Sequence, residues 1–194
     1  GAFSFYSIFD LLLLFSVFQG ILLLIAIPNL KSHNADANKW LLLSIAISSS
    51  GIFFYLLSNF QNTVQSFPKI LFFADFVIFL YSPIYYFYLR RLLFNARSLP
   101  YRWYLHFIPF LLQLIAYLPF LLQTDKGTLD RIMAQESVLV LLFLITGFLG
   151  LIWNVYYWNL FRKTIRNYSE QFQTNFSYEQ NLNYLNTVHI LQFI

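Results

Sequence analysis

Two aspartates stand inside stretches that are otherwise almost free of charge: Asp10 in SIFDLLLLF and Asp75 in KILFFADFVIF. A carboxylate in apolar surroundings must find a cation or a hydrogen-bond donor, or take up a proton. Both are therefore candidate ligand or proton sites. The alternative is structural: each acid bonds a neighbouring Ser, Tyr or Asn, or Asp10 is interfacial in the first turn of its helix. His106, in WYLHFIPF close to Arg102, reads as a hydrogen-bonded interfacial anchor rather than a base or ligand. His33 lies in a polar loop and His189 near the end of the sequence. No HExxH, paired His or carboxylate cluster has metal-site spacing, so no metal and no cofactor is assigned. No Ser-His-Asp order, phosphate loop or dinucleotide fingerprint occurs, and with no cysteine there is no thiolate chemistry. No catalytic residue is named, and the chain is read as a non-enzyme.

The elements that hold these residues follow from composition. Of the 194 residues, 59% are hydrophobic, 22% aromatic and only 10% charged, with a mean hydropathy of +0.60. Soluble domains carry roughly 25% charged residues. So little charge suits hydrocarbon, and runs such as LLLLF, ILLLIAI and VLVLLFLI do not alternate as barrel strands must. The expected fold is all-α: a polytopic transmembrane bundle with spans at about 3–27, 40–60, 70–94, 103–123 and 138–161. A sixth apolar stretch, 185–194, reads as an incomplete span, with seven expected in a longer protein and the first helix retained rather than cleaved.

The net charge of +4 does not build a nucleic-acid face, because the basic residues are scattered between apolar blocks. They orient the chain instead. Nine lie in the first, third and fifth connections, among them Lys31, Lys39, Arg90, Arg97, Arg102 and Arg162, against three in the second and fourth. Positive-inside bias then places the odd connections in the cytoplasm and the N-terminus outside, in a bacterial inner membrane. Trp153, Tyr156, Tyr157 and Trp158, just ahead of Arg162, form an aromatic belt at the inner interface. On this topology Asp10 and Asp75 lie roughly 8 to 12 Å inside the outer boundary. A charge there costs on the order of 2 to 3 kcal/mol, so together they suggest an outward-facing polar pocket.

Pro83, Pro109 and Pro119 interrupt the third and fourth spans, as hinges or as static bends. Ser44, Ser48, Ser49, Ser50 and Gly51, and Gly147 and Gly150, offer small surfaces for close helix approach.

Several segments together resemble the membrane part of bacterial membrane-bound AraC-type helix-turn-helix regulators. FQGILLLIAI, with Gln19 and Gly20, followed by KWLLLSIAIS is similar to that family's opening hairpin. In YSPIYYFYLRRLLF, Pro83, Tyr86 and Tyr88 match a Gly-Pro-x-x-Tyr-x-Tyr stretch, with Ser82 in place of Gly. His106 and Pro109 match a His-x-x-Pro, and Leu182, Tyr184 and Leu185 match a Leu-x-Trp-Leu with Tyr for Trp. The resemblance implies a sensor whose cytoplasmic DNA-binding domain lies beyond residue 194. The partners it implies are the lipid bilayer, a small molecule or envelope protein, a homodimeric second copy, and DNA only through that further domain. A transporter or channel-like protein and a non-catalytic subunit of a membrane complex are the rival readings.

Overall fold

The computed structural model describes residues 7–29, 34–95 and 98–175, with side chains through Phe172. All regular structure among them is helical. The helices are α1 (Ile8–Asn29), α2 (Ala35–Ser58), α3 (Gln61–Ser66), α4 (Ile70–Asp75), α5 (Val77–Phe94), α6 (Ile108–Leu121), α7 (Asp125–Met133) and α8 (Ser137–Asn175), with a 3₁₀ turn at Trp103–Phe107. Five segments are long and apolar enough to cross a membrane: Ile8–Asn29, Ala35–Ser58, Ile70–Phe94, Trp103–Leu121 and Ser137–Phe172. The first start at residue 3, the segment 185–194, His33, His189 and the Leu182–Leu185 motif lie outside the described residues.

Helix limits differ from the apolar runs because capping, not hydropathy, ends a helix. The side chain of Asn34 accepts from Ala37 N at 3.1 Å, so α2 begins well before Trp40. Asn95 adopts a left-handed φ of 48° and stops α5. Pro28 does not stop α1, which runs to Asn29. A proline in the last turn forfeits a single hydrogen bond, with little helix left to break. Pro109 is a correction to the reading of a broken fourth span: it occupies the first turn of α6, where its missing N–H would have had no helical partner. The short helices α3 and α7 fill connections, and Lys69 ties α7 to the start of α4 through Asp125 at 3.0 Å.

The spans pack in sequence order around α5, with α1 against α2, α2 against α4 and α5, and α8 against α5. Close approach rests on glycine. A Cβ at Gly51 would collide with Val77, and one at Gly150 with Ile78. Gly147 faces open space and makes no such contact, which corrects its reading as a packing residue. At one end of the bundle, the basic end, Arg91 reaches Asp36 at 3.5 Å. From that end α8 continues well past its apolar part: its 39 residues span about 58 Å, against a hydrocarbon core of about 30 Å.

Candidate functional site

The third span is broken at Phe76, between α4 and α5, directly after Asp75. Gln113 and Tyr117, four residues apart on α6 and therefore on one face, both point at this break. Gln113 Nε2 donates to the Asp75 carbonyl at 3.2 Å and to its carboxylate Oδ2 at 3.1 Å. The Tyr117 hydroxyl donates to the same Oδ2 and lies 3.2 Å from Thr146 Oγ1 on α8. Backbone freed by a break inside a span is tolerated only where a neighbour supplies the partner, and α6 supplies it here. Aromatic packing fixes the tyrosine: Phe72 and Phe143 lie 5.0 and 5.7 Å from its ring, which is fully buried.

Residues of this network border two cavities. The larger, about 640 Å³, is bordered by Asp75, Tyr55, Ser58 and Gln135 among apolar side chains. The smaller, about 420 Å³, lies between α6 and α8 and is bordered by Gln113, Thr146, Trp153, Leu112 and Leu149. Gln113 is 5% exposed. Its amide orientation is decided by chemistry: the Asp75 side presents only acceptors, so Nε2 must face it and Oε1 must face away. Neither Gln113 Oε1 nor Trp153 Nε1 has a hydrogen-bond partner among the described residues. Each such buried orphan costs about 1 to 3 kcal/mol.

A second cluster lies toward the basic end. His106, on the 3₁₀ turn ahead of α6, is hydrogen-bonded through Nδ1 to the Tyr157 hydroxyl of α8. Tyr86 and Phe87 of α5 pack on the imidazole at 5.6 and 5.5 Å. Tyr85, Leu89 and Phe161 complete a buried layer around Tyr157. Between the two clusters, Asn154 of α8 accepts from the Ser82 hydroxyl and donates to the Ile78 carbonyl at 3.4 Å, next to the turn that Pro83 depletes of a hydrogen bond.

The remaining sequence candidates are placed as follows. Asp10 is not deep in its span but in the first turn of α1, where Ser7 N and Oγ donate to its Oδ2 at 3.1 and 2.9 Å while Asp10 N donates to Ser7 Oγ at 3.1 Å. This is a capping box, closed further by Asn59 Nδ2 on Oδ1 at 3.3 Å. Asp10 and Asp75 thus take separate sets of partners rather than sharing them. Gly20 is buried against Ser49, whereas Gln19 is exposed. Pro83 is fully buried, and Tyr88 is half-buried beside Tyr85. Sequence reasoning passed over Gln113, Tyr117, Thr146 and Asn154. The available signal was a polar or hydroxyl group in each of the fourth and fifth spans, with Gln113 and Tyr117 at a four-residue spacing. No family model, curated protein or solved structure matches this chain.

Proposed function

We propose that the chain is the membrane part of a bacterial signal-transducing protein, in which the bundle senses a small molecule or envelope partner and moves a cytoplasmic effector. One observation carries this reading. α8 is a single uninterrupted helix that touches the Asp75 network through Thr146, the His106 cluster through Tyr157, and then leaves the apolar region by several turns. On that extension Tyr168 packs on Phe94 at the end of α5, at 5.9 Å. A helix anchored at both clusters passes a displacement at one to the other, because packed helices shift as units.

The resemblance to membrane-bound AraC-type regulators gives the effector its chemistry: a DNA-binding domain following residue 194, with the N-terminus outside and the basic end in the cytoplasm of the inner membrane. The meeting of two motif residues, Tyr86 and His106, supports this reading. Two experiments test it. Ser169→Cys on the α8 extension is expected to resist a membrane-impermeant thiol reagent in intact cells, and labelling from outside contradicts the orientation. Asn167→Pro in the full-length protein breaks α8 beyond the span, and is expected to abolish induction of the regulated promoter at unchanged membrane abundance. Unchanged induction contradicts the relay.

A transporter is the second reading, favoured by the break in the third span immediately after Asp75. It expects Asp75-dependent proton flux in proteoliposomes loaded with a pH dye. The sensor reading expects none.

A further inference from the structure

The larger cavity, about 640 Å³, carries a single charged side chain on its walls, Asp75. Both donors that reach this carboxylate, Gln113 Nε2 and the Tyr117 hydroxyl, bond Oδ2, so Oδ1 has no hydrogen-bond partner among the described residues. Fully enclosed polar atoms without a partner occur at Gln113, Gln123, Trp153 and Trp158, and Asp75 Oδ1 is not among them. It stays accessible, and this is the cavity that Asp75 borders. Among the described residues no basic group pairs with Asp75. Lys69 and Arg131, each within two residues of the cavity wall, are engaged by Asp125 and Glu136 instead. Ser58, also on the wall, spends its proton on the Tyr55 carbonyl at 2.6 Å, which leaves its oxygen as an acceptor. The remaining walls are mostly apolar, and Tyr55 and Gln135 on the border are exposed, so a ligand can enter.

We infer that this cavity binds a primary organic ammonium ion, whose N–H groups donate to Asp75 Oδ1 and whose apolar body lies against Leu139, Val140 and Phe143. A carboxylate inside a span calls for a cation, and a primary ammonium brings three donors and no acceptor to a site that offers acceptors. A bare metal ion would find one carboxylate among apolar walls, too few oxygens for its coordination shell, and an anion would meet like charge. The volume lies within the range of about 300 to 1,000 Å³ usual for small-molecule sites. Because the same carboxylate holds Gln113 and Tyr117, and Tyr117 touches Thr146 of α8, a cation on Oδ1 competes with these donors and loosens the network. That the ammonium ion is the signal rests on the sensor reading, whereas its binding does not.

The test uses radiolabelled 2-phenylethylamine, a cation at pH 7, and the whole chain in phosphatidylcholine nanodiscs, with empty nanodiscs as background. Saturable binding is expected at one site per chain, with no competition from the neutral isostere 2-phenylethanol at equal concentration. Asp75→Asn keeps an oxygen for Gln113 and Tyr117 but turns the free atom into a donor, and is expected to weaken binding about tenfold or more. Val140→Trp fills the cavity from an exposed position on α8 and leaves the network untouched, so it stays informative if Asp75→Asn misfolds; it is expected to abolish binding. Absence of saturable binding, equal competition by 2-phenylethanol, or unchanged affinity in either variant overturns the inference. Binding without a change in promoter output of the full-length protein overturns the cation's role as signal while leaving the site. Intact binding with an inert Asn167→Pro overturns the relay alone.

Discussion

The two sides of α5 and α8 are built by opposite means. On the side of α1 and α2, backbones approach closely because Gly20 meets Ser49 and Gly51 meets Val77. On the side of α6, large rings and long polar side chains bridge the gap: Tyr117 and Gln113 reach Asp75, Phe72 and Phe143 fill the space between, and a cavity remains. Lipid offers no hydrophobic force to press helices together, so the first side depends on van der Waals fit and the second on hydrogen bonds. A glycine seam has one good geometry. A side held by a few polar bridges over a void can take another at low cost.

The largest effect is expected at the glycine contact between α5 and α8 themselves. Gly150→Leu must displace Ile78 and should destabilise the bundle by about 3 kcal/mol, the upper range for overpacking, read as a lowered midpoint in denaturant titration. Gly147→Leu, one turn away with nothing around it, should change the midpoint by less than about 0.5 kcal/mol. Equal effects at the two positions would erase the contrast. On the α6 side, Asp75→Ala removes the carboxylate that both Gln113 and Tyr117 bond, leaving them the residue-75 carbonyl and Thr146, and should cost about 2 kcal/mol. Tyr117→Phe keeps the rings and loses only the hydroxyl, so about 1 kcal/mol is expected. Smallest in reach is Ser7→Ala. It opens the capping box and should raise amide exchange in the first turn of α1 by an amount equivalent to about 1 kcal/mol.

The five spans among the described residues, and their order, were legible because long apolar runs in lipid admit only helices. Their ends were not, since Asn34 and Asn95 set two of them through a cap and a backbone turn that hydropathy ignores. Asp75 stood out as a charge inside a span. Its partners did not, because Gln113 and Tyr117 are neutral and common, and only the fold shows that α6 turns them toward the break at Phe76. The role of Asp10 stayed open between two readings for a related reason: the start of α1 decides whether an acid near the N-terminus is buried or caps, and Ser7 places that start three residues before it. Pro109 and Pro119 look alike in sequence, yet one begins α6 and the other lies within it.

The central claim is that α8 is one rigid link from the Asp75 network to the basic end. The chain has no cysteine, so spin labels can be placed without background. One label goes on Leu43, exposed on α2, and the other on Gln171 in the extension of α8. The distance between them is then measured by pulsed electron resonance in nanodiscs, for the chain with Asp75 and for Asp75→Ala. A narrow distribution that shifts by on the order of 2 Å in Asp75→Ala, without broadening, is the predicted result. A distribution that stays the same when the network is broken contradicts the account.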